Sequence, residues 1–146
     1  MAIIERNAEL AAAILDVLTA EANLLVASVT SGMTDLVSDL SGQRIDALVL
    51  GVRGASDYGE QVSTALLQLE AASGRAPVMI AHCTSCTSAQ AALLLDAGAA
   101  GVILKGECGS SLGRLVSRCI SGSVEIALPA KVAAVVRAQR TARRHA

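Results

Sequence analysis

The sequence predicts a doubly wound α/β fold, a five-stranded parallel sheet with helices on both faces, from three observations. Short apolar runs alternate with amphipathic helical stretches along the chain. The runs are nearly unbroken in apolar character, as strands covered on both faces are. Helical stretches separate successive runs, and parallel neighbours require such crossovers. The length of 146 residues suits one domain, which at this size buries roughly two-thirds of its extended-chain surface. The composition is 53% hydrophobic but 1% aromatic, with one Tyr and no Trp or Phe. Its core must therefore be Leu, Val, Ile and Ala. Stacking platforms for single-stranded nucleic acid are excluded for want of aromatic faces, and carbohydrate clefts are disfavoured for the same reason. No apolar run approaches the ~18 to 20 residues of a membrane span. The chain opens with Glu5 and Arg6 rather than a charged and then apolar leader. These features point to a soluble, cytoplasmic protein with no membrane partner.

The elements follow in order. Ala2-Ile3-Ile4 is a short apolar start, and Leu10, Ile14, Val17 and Leu18 form the stripe of a one-sided helix. Asn23 to Val29 reads as a second strand, broken at Ser31-Gly32. Leu36, Val37 and Leu40 mark a helix that stops at Gly42. Ile45 to Val52 is the clearest strand. A loop with Gly54, Ser56, Asp57 and Gly59 follows, then a helix with Val62, Leu66 and Leu69 inward, ended by Ser73-Gly74. Ala76 to Ala81 enters the fourth strand with Pro77 at its mouth, where no ladder donor is lost. Ala89 to Ala97 is a helix closed by Gly98, and Gly101 to Leu104 is the fifth strand, ending at Lys105. Leu112, Leu115, Val116, Cys119 and Ile120 line the fifth helix, stopped by Gly122. In such sheets the working crevice lies beyond the carboxyl ends of the strands. That places Glu5, Arg6, Gly51, His82 and Lys105 together.

Three stretches resemble the receiver domain of bacterial response regulators, the flavodoxin-like fold of CheY, and within it the NarL/LuxR-type branch. They are Asp46-Ala-Leu-Val-Leu-Gly-Val-Arg53, Ala76-Pro-Val-Met-Ile-Ala81 and Asp96-Ala-Gly-Ala-Ala-Gly-Val-Ile-Leu-Lys105. The segment Ile120 to Lys131 is similar to that branch's exit from its last helix into a linker. The resemblance spans residues 2 to about 136. It implies a receiver-like domain over 1–122, with 123–146 a linker or helix leading to a helix-turn-helix effector domain that the sequence does not contain.

Receiver chemistry, as the resemblance implies it, uses a strand-end aspartate that accepts a phosphoryl group and an acidic pair that helps hold Mg²⁺. A hydroxyl residue and a lysine contact the phosphoryl oxygens. Here the acceptor position is Gly51, the acidic pair is Glu5 and Arg6, the hydroxyl position is His82, and Lys105 alone is kept. Mg²⁺ needs oxygen ligands in near-octahedral geometry, and a guanidinium repels a cation, so Mg²⁺ binding is expected to be lost and no cofactor is implied. The aromatic that turns inward in the switch corresponds to Val102, which has no ring. Asp57, about six residues past the strand end, reads as a loop cap or turn residue, and Asp46 lies at the opposite end of its strand.

Other motifs are weaker. Cys83-Thr-Ser-Cys86 is a C-x-x-C that reads first as ordinary reduced thiols. Redox sensing is the next reading, and a metal the least supported, since Cys108 and Cys119 form no second pair. His82 with Lys105 suggests an anion site, against the plainer arrangement of Lys105 paired with Glu5 and His82 capping a loop. Residues 131–146 hold five basic side chains and no acid, leaving seven basic residues against all thirteen acids in the remainder. This segment reads as the solvated face of a terminal helix, or as the approach to a nucleic-acid contact. The expectation is a non-enzymatic pseudo-receiver of a transcription regulator. It would act without phosphorylation as a homodimer or with a regulatory protein partner, and touch DNA only through the absent effector domain. The interface would lie on the first and fifth helices or on the fourth helix, fifth strand and fifth helix, the run Ala91 to Leu95 suggesting the latter. The alternative is a small-molecule or redox sensor built on the remodelled crevice.

Overall fold

The structure, a computed structural model, describes residues 1–53, 57–104 and 112–122. Ten elements alternate along them: β1 (Ala2–Ile4), α1 (Ala8–Thr19), β2 (Ser28–Thr30), α2 (Met33–Leu40), β3 (Ala47–Gly51), α3 (Tyr58–Ser73), β4 (Val78–Cys83), α4 (Ser88–Asp96), β5 (Gly101–Leu104) and α5 (Leu112–Ile120). The strands form one sheet in the order β2-β1-β3-β4-β5, every pair parallel. This is the flavodoxin-like order, whose crevice lies between β1 and β3.

Period-two alternation along each strand builds two cores. Ala2, Ile4, Leu48, Leu50, Met79, Ala81 and Val102 face α2, α3 and α4. Ile3, Val49, Ile80 and Ile103 face α1 and α5. The apolar stripes of the helices meet these faces. In α1, Ala11, Ile14 and Leu18 are buried, and the helix starts where the Asn7 side chain accepts from Leu10 N at 3.1 Å. In α4, Thr87 and Gln90 form a reciprocal capping box.

Two element boundaries differ from expectation in ways that matter. The second strand begins at Ser28, five residues later than its apolar run. Leu25 is 82% exposed there, because an edge strand paired on one side needs no apolar cover along its whole length. The fourth strand continues to Cys83. His82 and Cys83 are therefore sheet residues, with His82 opposite Gly51 and Cys83 opposite Leu104. The run Ala91 to Leu95 is also spent differently. Ala91, Ala92, Leu94 and Leu95 are buried, and Leu93 alone of the five is exposed, at 56%. Gly59 explains the demand: a Cβ there would come within 3.3 Å of Leu93 O, so α3 and α4 pack backbone to backbone and consume the apolar side chains. The segment 123–146 lies outside the described residues.

Candidate functional site

Strands β1, β3 and β4 end side by side, and their last residues build the site. The Glu5 N–H donates to Thr30 O at 2.9 Å and prolongs the β1–β2 pairing by one residue. The Glu5 side chain turns inward and is only 5% exposed. Its Oε1 accepts from the Asn7 N–H at 3.2 Å, and its Oε2 lies 4.0 Å from His82 Nδ1. His82 is 4% exposed, and its backbone carbonyl accepts from the Val52 N–H at 2.9 Å. Between them Gly51 closes β3. A Cβ on Gly51 would collide with Glu5 Oε2 and stand 3.1 Å from Ile4 O. The carboxylate of Glu5 thus fills the space in which a side chain at residue 51 would begin.

Three of the five grouped residues, Glu5, Gly51 and His82, do converge. Arg6 departs from the group: it is exposed and lines a cavity on the α2/α3 side instead. Extended backbone sends neighbouring side chains to opposite sides, so Glu5 joins the α1/α5 side with His82 while Arg6 follows Ile4. Lys105 lies outside the described residues. His82, whose side chain approaches Glu5, is a strand residue rather than the cap of a loop. Val102 is fully buried in β5 among the aliphatic residues facing α4. Asp57 does occupy the N-cap of α3, in the left-handed region at φ 62°, but its side chain makes no capping hydrogen bond.

Cys83 and Cys86 bracket the turn between β4 and α4. Cys83 is buried in the core facing α3 and α4, and Cys86 is half-buried. A hydrogen bond with Cys83 lowers the Cys86 thiol below its ordinary pKa, burial opposing it. Among the described residues no group of three or more His, Cys, Asp or Glu is placed to hold a metal ion. Cys83 and His82, as strand neighbours, project to opposite faces of the sheet.

Sequence reasoning missed two participants. Tyr58, the one aromatic of the chain, is buried at the start of α3, and its hydroxyl donates to Ser85 O at 3.2 Å. It fastens the β4–α4 turn to α3. Burial holds its phenol above the ordinary value, with Cys83 and Cys86 adding to the shift. Arg53, two residues past Gly51, lines the same cavity as Arg6, two residues past Ile4. Their places just past the ends of neighbouring strands were the signal available.

No protein-family model and no curated protein sequence matches the chain. Solved structures do. The isolated REC domain of RcsB from Salmonella enterica serovar Typhimurium, in the presence of the phosphomimetic BeF3-, superposes with a TM-score of 0.71 at 16% identity, covering 90% of this chain and 93% of that one. The fold is the receiver fold. A LuxR family DNA-binding response regulator from Silicibacter pomeroyi matches with a TM-score of 0.67 at 20% identity, over 89% of this chain and 96% of that one. The Salmonella typhimurium RcsB response regulator matches with a TM-score of 0.74 at 14% identity, over 93% of this chain and 68% of its own length. On the receiver fold, the ends of β1, β3 and β4 are the corner just described. Here that corner carries Glu5, Gly51 and His82.

Proposed function

We propose that this chain is a non-enzymatic regulatory receiver module of a bacterial transcription regulator, cytoplasmic, acting without aspartyl phosphorylation. The observation that carries the reading is the Glu5 carboxylate standing where a side chain on residue 51 would start. Glycine offers no atom to phosphorylate, and the space for an acceptor is already filled. The donor set does not fit Mg²⁺ either. Glu5 brings a carboxylate, Arg6 brings a cation on the far side of the strand, and Gly51 brings no side chain. The module would signal by pairing with a second copy or with a regulatory protein, and would reach DNA only through a further effector domain. The similar structures, a LuxR family DNA-binding response regulator among them, support that class of role.

The test is incubation of the folded protein with acetyl phosphate and Mg²⁺, followed by intact-mass measurement. No gain of a phosphoryl group is expected. A stoichiometric gain on the native protein overturns the reading. A second reading, redox sensing, is favoured by the hydrogen bond between Cys83 and Cys86 and the lowered Cys86 thiol.

A further inference from the structure

The cavity beside Gly51 has a volume of about 670 Å³, inside the ~300 to 1,000 Å³ usual for small-molecule sites. Ile4, Leu50 and Ala65 give it an apolar floor on the α2/α3 side of the sheet. Arg6 and Arg53 line it and are both exposed. Neither has a carboxylate within 4.0 Å among the described residues. Two acids also line the cavity, and both are accounted for by α3. Asp57 occupies its N-cap and Glu60 its first turn, where the partial positive charge of the helix N-terminus favours acids. Among the described residues neither acid is within ion-pair distance of either guanidinium. Two guanidiniums without acidic partners above an apolar floor match an anionic group carried on an apolar body, since guanidinium is suited to carboxylate and phosphate oxygens.

We propose that this cavity binds a small organic anion, with Arg6 and Arg53 holding the charged group and Ile4, Leu50 and Ala65 meeting the apolar body. Glu5 and His82 do not line it, so the site stands whether or not the protein accepts a phosphoryl group. It is also distinct from any site at His82. Binding here would bear on the first turns of α2 and α3, which carry Met33 and Gln61 on its wall.

The probe is 8-anilinonaphthalene-1-sulfonate, an organic anion that fluoresces when its rings leave water, with uncharged N-phenyl-1-naphthylamine as its partner. The wild-type chain binds the sulfonate saturably at one site. The Arg6→Gln/Arg53→Gln variant, which changes two exposed side chains, binds it about tenfold more weakly or worse, while the uncharged probe binds both proteins alike. Thr64→Trp, on the exposed wall of α3, obstructs both probes. In parallel, amide chemical-shift changes on adding the sulfonate to the wild-type protein gather at Gly32, Gly51, Arg53 and Gln61. Equal sulfonate affinity in the double variant, no saturable binding, or shifts gathered elsewhere overturns the proposal.

Discussion

Glu5 accepts from the Asn7 N–H on one oxygen and has His82 Nδ1 4.0 Å from the other, and residue 51 lies against it without a side chain. An aspartate placed at 51 therefore does not fit as the site stands. Gly51→Asp must displace a buried carboxylate and set a second one beside it, overpacking that costs about 1 to 3 kcal/mol with like-charge repulsion added. A lower urea midpoint is expected for Gly51→Asp, and partial recovery when Glu5→Ala accompanies it. An unchanged midpoint for Gly51→Asp alone refutes the steric account. The composition of this corner was legible from residue order, because strand ends and residue types are local information. The parting of Glu5 from Arg6 was not, since a two-residue motif does not state where the strand's alternation continues past its last ladder bond. Only the three-dimensional position of Gly51 shows that Glu5 has room to turn inward.

At the level of elements, the helices were readable because their stripes repeat at the helical period and their ends carry glycine or capping residues. Gly74, at φ 80°, closes α3 where a left-handed residue is needed. Strand limits were less readable. His82 and Cys83 are polar or weakly apolar, so pattern alone stopped β4 at Ala81, whereas pairing with β3 and β5 carries it two residues further. That shift gives the β4–α4 connection its chemistry, for it roots Cys83 in the sheet while Cys86 sits just ahead of the Thr87 cap. Under the redox reading, hydrogen peroxide oxidises the two thiols to a disulfide, losing two hydrogens from the protein and yielding two waters. Intact mass and peptide mapping should find the Cys83–Cys86 link, absent in Cys86→Ser. Two thiols still free after peroxide treatment of the native protein remove that reading.

For the molecule as a whole, the surface on which the proposed pairing would occur is narrowed by which faces are already used. The apolar run of α4 is largely consumed against α3, which weakens the case for that helix as an apolar docking surface. The first and fifth helices carry exposed charge of opposite sign, Glu9 and Asp16 on α1 against Arg114 on α5. Such a surface is self-complementary across a two-fold axis when α1 of one copy faces α5 of the other. Light scattering at high micromolar concentration should give twice the 14.8 kDa chain mass, and raised salt should lower it by screening those charges. A single-chain mass throughout removes the homodimer from the proposal.

The filled space above Gly51 also sets an order on change. Aspartate cannot be introduced at 51 while Glu5 points inward without paying in stability, whereas shortening Glu5 first leaves a hole that aspartate then occupies. Installing a carboxylate at residue 51 thus takes two changes, with the shortening of Glu5 ahead of the aspartate. Glu5 in this way guards residue 51 against any side chain larger than glycine's hydrogen.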